Sequence, residues 1–117
     1  MAGYVLYHNP RCSKSRGALE LLQERGVQPQ VLRYLDTPPD ADTLRGLVEK
    51  LGIRPRELLR TGEEEYWSLG LADASVDDAA LIAAMAAHPR LIERPILVRG
   101  ARAVIGRPPE RVLELVD

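Results

Sequence analysis

Residues 4–26 read YVLYHNPRCSKSRGALELLQERG, and the punctuation of this stretch sets the fold. Tyr4 to Tyr7 is a short apolar run, the pattern of a buried strand. Asn9-Pro10 breaks it. From Ser13 to Arg25 a helix is predicted, with Leu19 and Leu22 at helical spacing and Gly26 closing it. Gln30 to Leu35 alternates as a second strand and is closed by Pro38-Pro39. Strand, helix and strand in this order make a right-handed crossover, so the two strands lie parallel.

The middle of the chain is helical. Asp40 or Asp42 caps a helix running to Lys50, with Leu44, Leu47, Val48 and Leu51 as its apolar face. Pro55 suits the first turn of a short helix over Arg56 to Arg60. Glu63-Glu64-Glu65 reads as a solvated turn leading to Trp67 and Leu69. Tyr66 and Trp67 are adjacent and cannot share one helical stripe, so they read as core and rim packing. Ser75-Val76-Asp77-Asp78 has the pattern of a capping box opening a helix to His88, which Pro89 stops. His88 itself is a helix-end residue without chemistry.

Strand signals then return. Ile96-Leu97-Val98 and Ala103-Val104-Ile105 flank Arg99-Gly100-Ala101-Arg102, a hairpin pattern. Pro108-Pro109 opens a last helix with Val112, Leu113 and Val116 inward. The order is β-α-β, a helical block, then β-β-α, with a cysteine after the first strand and a proline before the third. That is the order of a thioredoxin-like α/β fold with a small mixed sheet. One domain over 1–117 is expected, with a helical insertion at about 40–90 and no internal repeats.

At 117 residues the chain can bury one proper core. Its 45% apolar and 28% charged residues are the balance of a soluble globular protein. No run of about 20 apolar residues is present, and Met1-Ala2-Gly3-Tyr4 lacks the basic and apolar regions of a signal peptide. A cytoplasmic protein with no membrane partner is expected. The net charge of −1 and a pI near 6.1 give no basic field for nucleic acid. Nothing in the sequence demands more than a monomer. A single cysteine excludes an internal disulfide and a cysteine zinc site, so no metal is expected. Any thiol chemistry must take its second thiol from another molecule.

Cys12 falls in the loop between the first strand and the first helix, at or beside the cap. Free backbone N–H groups and the helix dipole favour an anion there. Arg11, Lys14 and Arg16 add positive charge to the field. Such settings lower a cysteine pKa from ~8.5 into the range ~3.5–7.5 and give a reactive thiolate. The spacing excludes two other chemistries. A tyrosine-phosphatase-like loop needs an arginine six positions after the cysteine, where Ala18 stands. A Cys-x-x-Cys redox pair needs a cysteine where Ser15 stands.

The run Tyr7-His8-Asn9-Pro10-Arg11-Cys12-Ser13-Lys14-Ser15-Arg16 resembles the signature of the glutaredoxin-coupled arsenate reductases. The resemblance continues through Arg33-Tyr34-Leu35 with Pro38-Pro39, Glu57-Leu58-Leu59-Arg60 and Glu93-Arg94-Pro95-Ile96, ending in Gly106-Arg107-Pro108-Pro109-Glu110. It implies that Cys12 attacks arsenate, that glutathione then adds, and that glutaredoxin releases the arsenic as arsenite. Glutathione is thus a co-substrate, and no bound cofactor is expected. By the same resemblance Arg60, Arg94 and Arg107 bind the oxyanion, a task suited to a permanently charged, forked donor. Pro95 is implied to be cis and to present its backbone to the thiol substrate, and His8 to support the thiolate. Asn9 is placed to brace the loop through its amide, and Ser15 to offer a hydroxyl to the thiolate or the oxyanion. Two other readings keep the same fold. One is a glutathione-dependent thiol–disulfide oxidoreductase, and the other a Spx-like regulator that binds RNA polymerase. The three arginines and the absence of a second cysteine weigh against the regulator.

Overall fold

A computed structural model of the chain describes residues 3–116 and resolves them into two compact units. One unit runs to Thr37 and resumes at Arg94; the other is Pro38–Glu93.

The first unit holds the sheet. Its elements are β1 (Tyr4–His8), α1 (Ser13–Glu24), β2 (Gln30–Arg33), β3 (Ile96–Arg99), β4 (Arg102–Ile105) and a closing 3-10 helix (Pro109–Leu115). The strand order is β2-β1-β3-β4. β1 and β2 are parallel, with His8 opposite Arg33. The β1–β3 and β3–β4 pairs are antiparallel, and Leu6, Leu97 and Val104 fall in one cross-strand row. Because side chains alternate faces along a strand, that row shares one side of the sheet. Ala18 and Leu22 of α1 pack on it with Val112 and Leu115, all seven residues being buried. Each of the six Leu and Val side chains taken from water contributes about 1.5–3 kcal/mol, which makes this layer the main support of the unit. The mixed four-stranded sheet is the expected thioredoxin-like one. Gly100, with φ at +61°, supplies the left-handed residue that the two-residue turn between β3 and β4 requires.

Two boundaries differ from expectation here. β2 stops at Arg33 and not Leu35, because the Arg33 carbonyl accepts from the N–H groups of Asp36 and Thr37 and turns the chain. The last helix is 3-10 and not α. With three residues per turn, Val112 and Leu115 share the inward face, leaving Leu113 and Val116 only half-buried.

The second unit is helical: α2 (Ala41–Leu51), α3 (Pro55–Leu58), α4 (Glu64–Ser68) and α5 (Asp78–Ala87), then a 3-10 turn at Pro89–Leu91. Asp40 caps α2 by accepting from the Thr43 N–H at 2.8 Å. α5 packs on α2 and α3, with Leu44, Leu47, Leu58, Leu81, Ile82 and Met85 buried. The cap of α5 is Asp77, which accepts from the Ala80 N–H, and not Ser75, whose N–H and hydroxyl both turn to Asp73. The glutamate run is not a solvated turn. Glu64 and Glu65 open α4, and the Glu63 side chain is only 17% exposed between Arg60 and Arg90. Trp67 is not core: it is 66% exposed and meets Tyr66 edge-on at 5.0 Å. Among the described residues no helix is long and apolar enough to cross a membrane.

Among the glycines, Gly106 has the closest neighbours. Its N–H donates to the Pro95 carbonyl at 2.8 Å. A Cβ there would lie 2.8 Å from Pro95 Cγ and 2.9 Å from Val112 Cγ1. Gly106→Ala should therefore lose about 1–3 kcal/mol by overpacking. Gly46, inside α2, has open space at its Cβ position, so Gly46→Ala should gain about 0.5–1 kcal/mol. Urea denaturation midpoints read both, and a Gly106→Ala midpoint equal to wild type would refute the packing account.

Candidate active site

Cys12 is the N-cap residue of α1, with φ −96° and ψ 123°. The turn that sets it there is local. The Cys12 N–H donates to the Asn9 carbonyl at 3.0 Å, and the Arg11 N–H donates to Asn9 Oδ1 at 3.0 Å. The first turn of α1 holds no acidic residue, so nothing at the helix start competes with an anion on Cys12. The Cys12 side chain itself completes no cap hydrogen bond. Burial, the largest single influence, pushes the thiol pKa up. It is outweighed by the Ser15 N–H, the Arg94 guanidinium and the Lys14 N–H, which face the sulfur and favour its charged form, and by the Arg94 charge. The result is a pKa of about 7 against 9.0 for an unperturbed thiol. Cys12 is half thiolate near neutral pH.

Arg94 reaches this sulfur from the strand side of the unit, two residues before β3. Its buried Nε has no hydrogen-bond partner, an arrangement that ordinarily costs about 1–3 kcal/mol and leaves a donor ready for an acceptor. The Arg94 carbonyl accepts from Arg107 Nη1 at 3.0 Å, so the two arginines are tied together. The Arg94–Pro95 bond is cis, as the resemblance implies, and Arg107–Pro108 is cis as well, which the sequence did not signal. Pro95 is fully buried against the Gly106 backbone.

The remaining expected residues divide by what they touch. Ser15 is buried; its N–H serves the Cys12 sulfur, and its hydroxyl accepts from the Asn9 N–H at 3.4 Å. Its contribution to the thiolate is thus the backbone donor, while Asn9 braces the loop through Oδ1. His8 is 6% exposed, and burial together with the Arg33 and Arg16 charges lowers its pKa. It is neutral at pH 7, and its buried Nδ1 lacks a hydrogen-bond partner. The groups that lower the Cys12 pKa are the Ser15 and Lys14 N–H groups and Arg94. Arg16 donates to the Pro10 carbonyl at 3.0 Å, while Arg11 and Lys14 are exposed.

Arg60 belongs to the second unit. Its N–H donates to the Leu91 carbonyl at 2.7 Å beside the Leu59–Ile92 bridge. Its guanidinium lies 3.8 Å from Glu63 and 3.6 Å from Glu93, beyond hydrogen-bond length, and its Nε and Nη1 are buried without hydrogen bonds. Sequence reasoning passed over one feature altogether. A cleft of about 180 Å³ opens at the carboxyl ends of β1 and β2, lined by His8, Asn9, Pro10, Arg11, Arg33, Leu35 and Asp36. Among the described residues no group of His, Cys, Asp or Glu is placed to hold a metal ion.

Comparison with known proteins identifies the family. The ArsC family model matches residues 7–115. The uncharacterized protein YfgD of Escherichia coli strain K12 is 57% identical over 112 residues, covering 95% of this chain and 94% of that one. The arsenate reductase of Neisseria meningitidis serogroup A is 47% identical over 108 residues, 92% of each chain. The solved structure of the arsenate reductase from Vibrio cholerae superposes with a TM-score of 0.96 at 50% identity, covering 98% of both chains. With the match running through the Cys12 turn and both arginine–proline steps, this chain belongs to the ArsC family.

Proposed function

We propose that the protein is an arsenate reductase in which Cys12 is the nucleophile and glutathione and glutaredoxin supply the other thiols. The observation that carries this reading is Cys12, held near half ionisation at the start of α1 against the Arg94 guanidinium. Relatives named arsenate reductases at 43–47% identity support the substrate. Arsenate is an anion whose arsenic accepts a sulfur nucleophile. Its approach needs positive charge, and its oxygens need donors that do not lose their protons. Arg94 offers an unengaged Nε, Arg107 is anchored on the Arg94 carbonyl, and Arg60 is assigned the same role from the family resemblance.

In this reading the Cys12 thiolate bonds to arsenic and an arsenate oxygen leaves as water. Glutathione's sulfur replaces a second oxygen on arsenic in the same way. The glutaredoxin thiolate then attacks the glutathione sulfur and forms a mixed disulfide, and the electron pair of the broken S–As bond stays on arsenic. Arsenic passes from As(V) to As(III), and two thiols are oxidised. Water finally displaces Cys12 and releases arsenite. No bound cofactor enters. A cycle that draws on glutathione runs in the reducing cytoplasm, and one chain suffices for it.

Three outcomes test the proposal. In an assay with glutathione, glutaredoxin, glutathione reductase and NADPH, wild type should show arsenate-dependent NADPH oxidation that Cys12→Ser reduces to background; wild type without turnover ends the reading. Arg94→Gln and Arg107→Gln should each lower kcat/KM for arsenate about tenfold or more, the loss expected for a charge-assisted hydrogen bond. Iodoacetamide alkylation of Cys12 should have its midpoint near pH 7. Because Arg94 favours the charged form, Arg94→Gln should move that midpoint upward, and an unmoved midpoint would remove Arg94 from the thiolate's surroundings.

A further inference from the structure

The mechanism above leaves the cleft at the carboxyl ends of β1 and β2 unused. β1 and β2 are the sheet's parallel pair, and His8 and Arg33 stand opposite each other at their ends. The carboxyl end of parallel strands is where open α/β sheets seat ligands. The charges there are specific. Arg11 and Arg33 are exposed cations, Asp36 is an exposed anion, and His8 is neutral, which leaves a net charge of +1. Arg33 Nε and Asp36 Oδ2 pair at 3.1 Å with both side chains more than 60% exposed. Such a pair holds on to its partner weakly and can exchange it for a ligand. Pro10 and Leu35 add apolar wall between the charges.

A ligand that fits this lining carries two carboxylates and one ammonium on a short peptide, net charge −1. That is the chemistry of glutathione. We propose that this cleft seats the glutathione co-substrate, its carboxylates on Arg11 and Arg33 and its ammonium on Asp36. The inference rests on the proposed use of glutathione and gives it a location. The cleft wall Asn9-Pro10-Arg11 is the same turn that ends in Cys12, whose N–H is bound to Asn9. Consecutive Cα atoms are about 3.8 Å apart and a tripeptide spans roughly 10 Å. A tripeptide anchored here therefore lies within its own length of the nucleophile's loop.

Isothermal titration of the full-length protein with S-methylglutathione, which has the same charges and no free thiol, reads the cleft directly. Wild type should bind. Arg33→Ala and Asp36→Asn should each weaken binding about tenfold or more. Arg45→Ala, which breaks an exposed pair of the same spacing in the second unit, should bind as wild type does. Absence of binding overturns the inference, as does binding left intact by Arg33→Ala or by Asp36→Asn, or weakened equally by Arg45→Ala. The two proposals fail separately. A protein that binds in the expected pattern but leaves arsenate unreduced keeps its cleft and loses the activity. A working arsenate reductase that does not bind S-methylglutathione does the reverse.

Discussion

The Cys12 sulfur stands against the Ser15 and Lys14 N–H groups on one side and the Arg94 guanidinium on the other, and the rest of the first unit is arranged to keep them there. The N–H groups are aimed by α1, whose Ala18 and Leu22 are clamped on the Leu6, Leu97 and Val104 row. The guanidinium is aimed by the entry to β3, where Pro95 is wedged against Gly106 and the Arg94 carbonyl is held by Arg107. Burial of the sulfur works against its ionisation and is overcome only because both sets of donors arrive together. The apolar layer is therefore what makes the electrostatics possible.

Much of this was legible because its signals are local. A strand, an Asn-Pro break and a helix start put Cys12 at a cap without any knowledge of tertiary structure. Arg99-Gly100-Ala101-Arg102 announced its hairpin for the same reason. The arginine–proline steps were read from the resemblance, since nothing in Arg94 or Arg107 taken alone separates a site arginine from a solvated one.

What escaped reading depends on partners distant in the chain. The glutamate run looks solvated until Arg60 and Arg90 are placed around Glu63. The last helix shows its proline start, but whether it winds with three or 3.6 residues per turn is decided by the surface it must cover, here through Val112 and Leu115. Ser75 and Asp77 both read as caps, and only the Asp73 side chain, by occupying Ser75, leaves the task to Asp77. The state of His8 could not be read from its position, because burial and the charges of Arg33 and Arg16 decide it. The cleft was invisible for the same reason. Arg33 and Asp36 look like ordinary surface residues until β2 ends beside β1.

The first unit is discontinuous: the chain leaves it after Thr37 and comes back only at Arg94. On the ribosome, Cys12 therefore emerges 82 residues ahead of the guanidinium that completes its surroundings. The intervening helices make contacts close in sequence and form quickly, whereas pairing β3 with β1 must wait for the long loop to close. Until then the thiol has only the nascent helix start to acidify it. The low thiol pKa is thus a property of the assembled unit, complete only when the last strands dock.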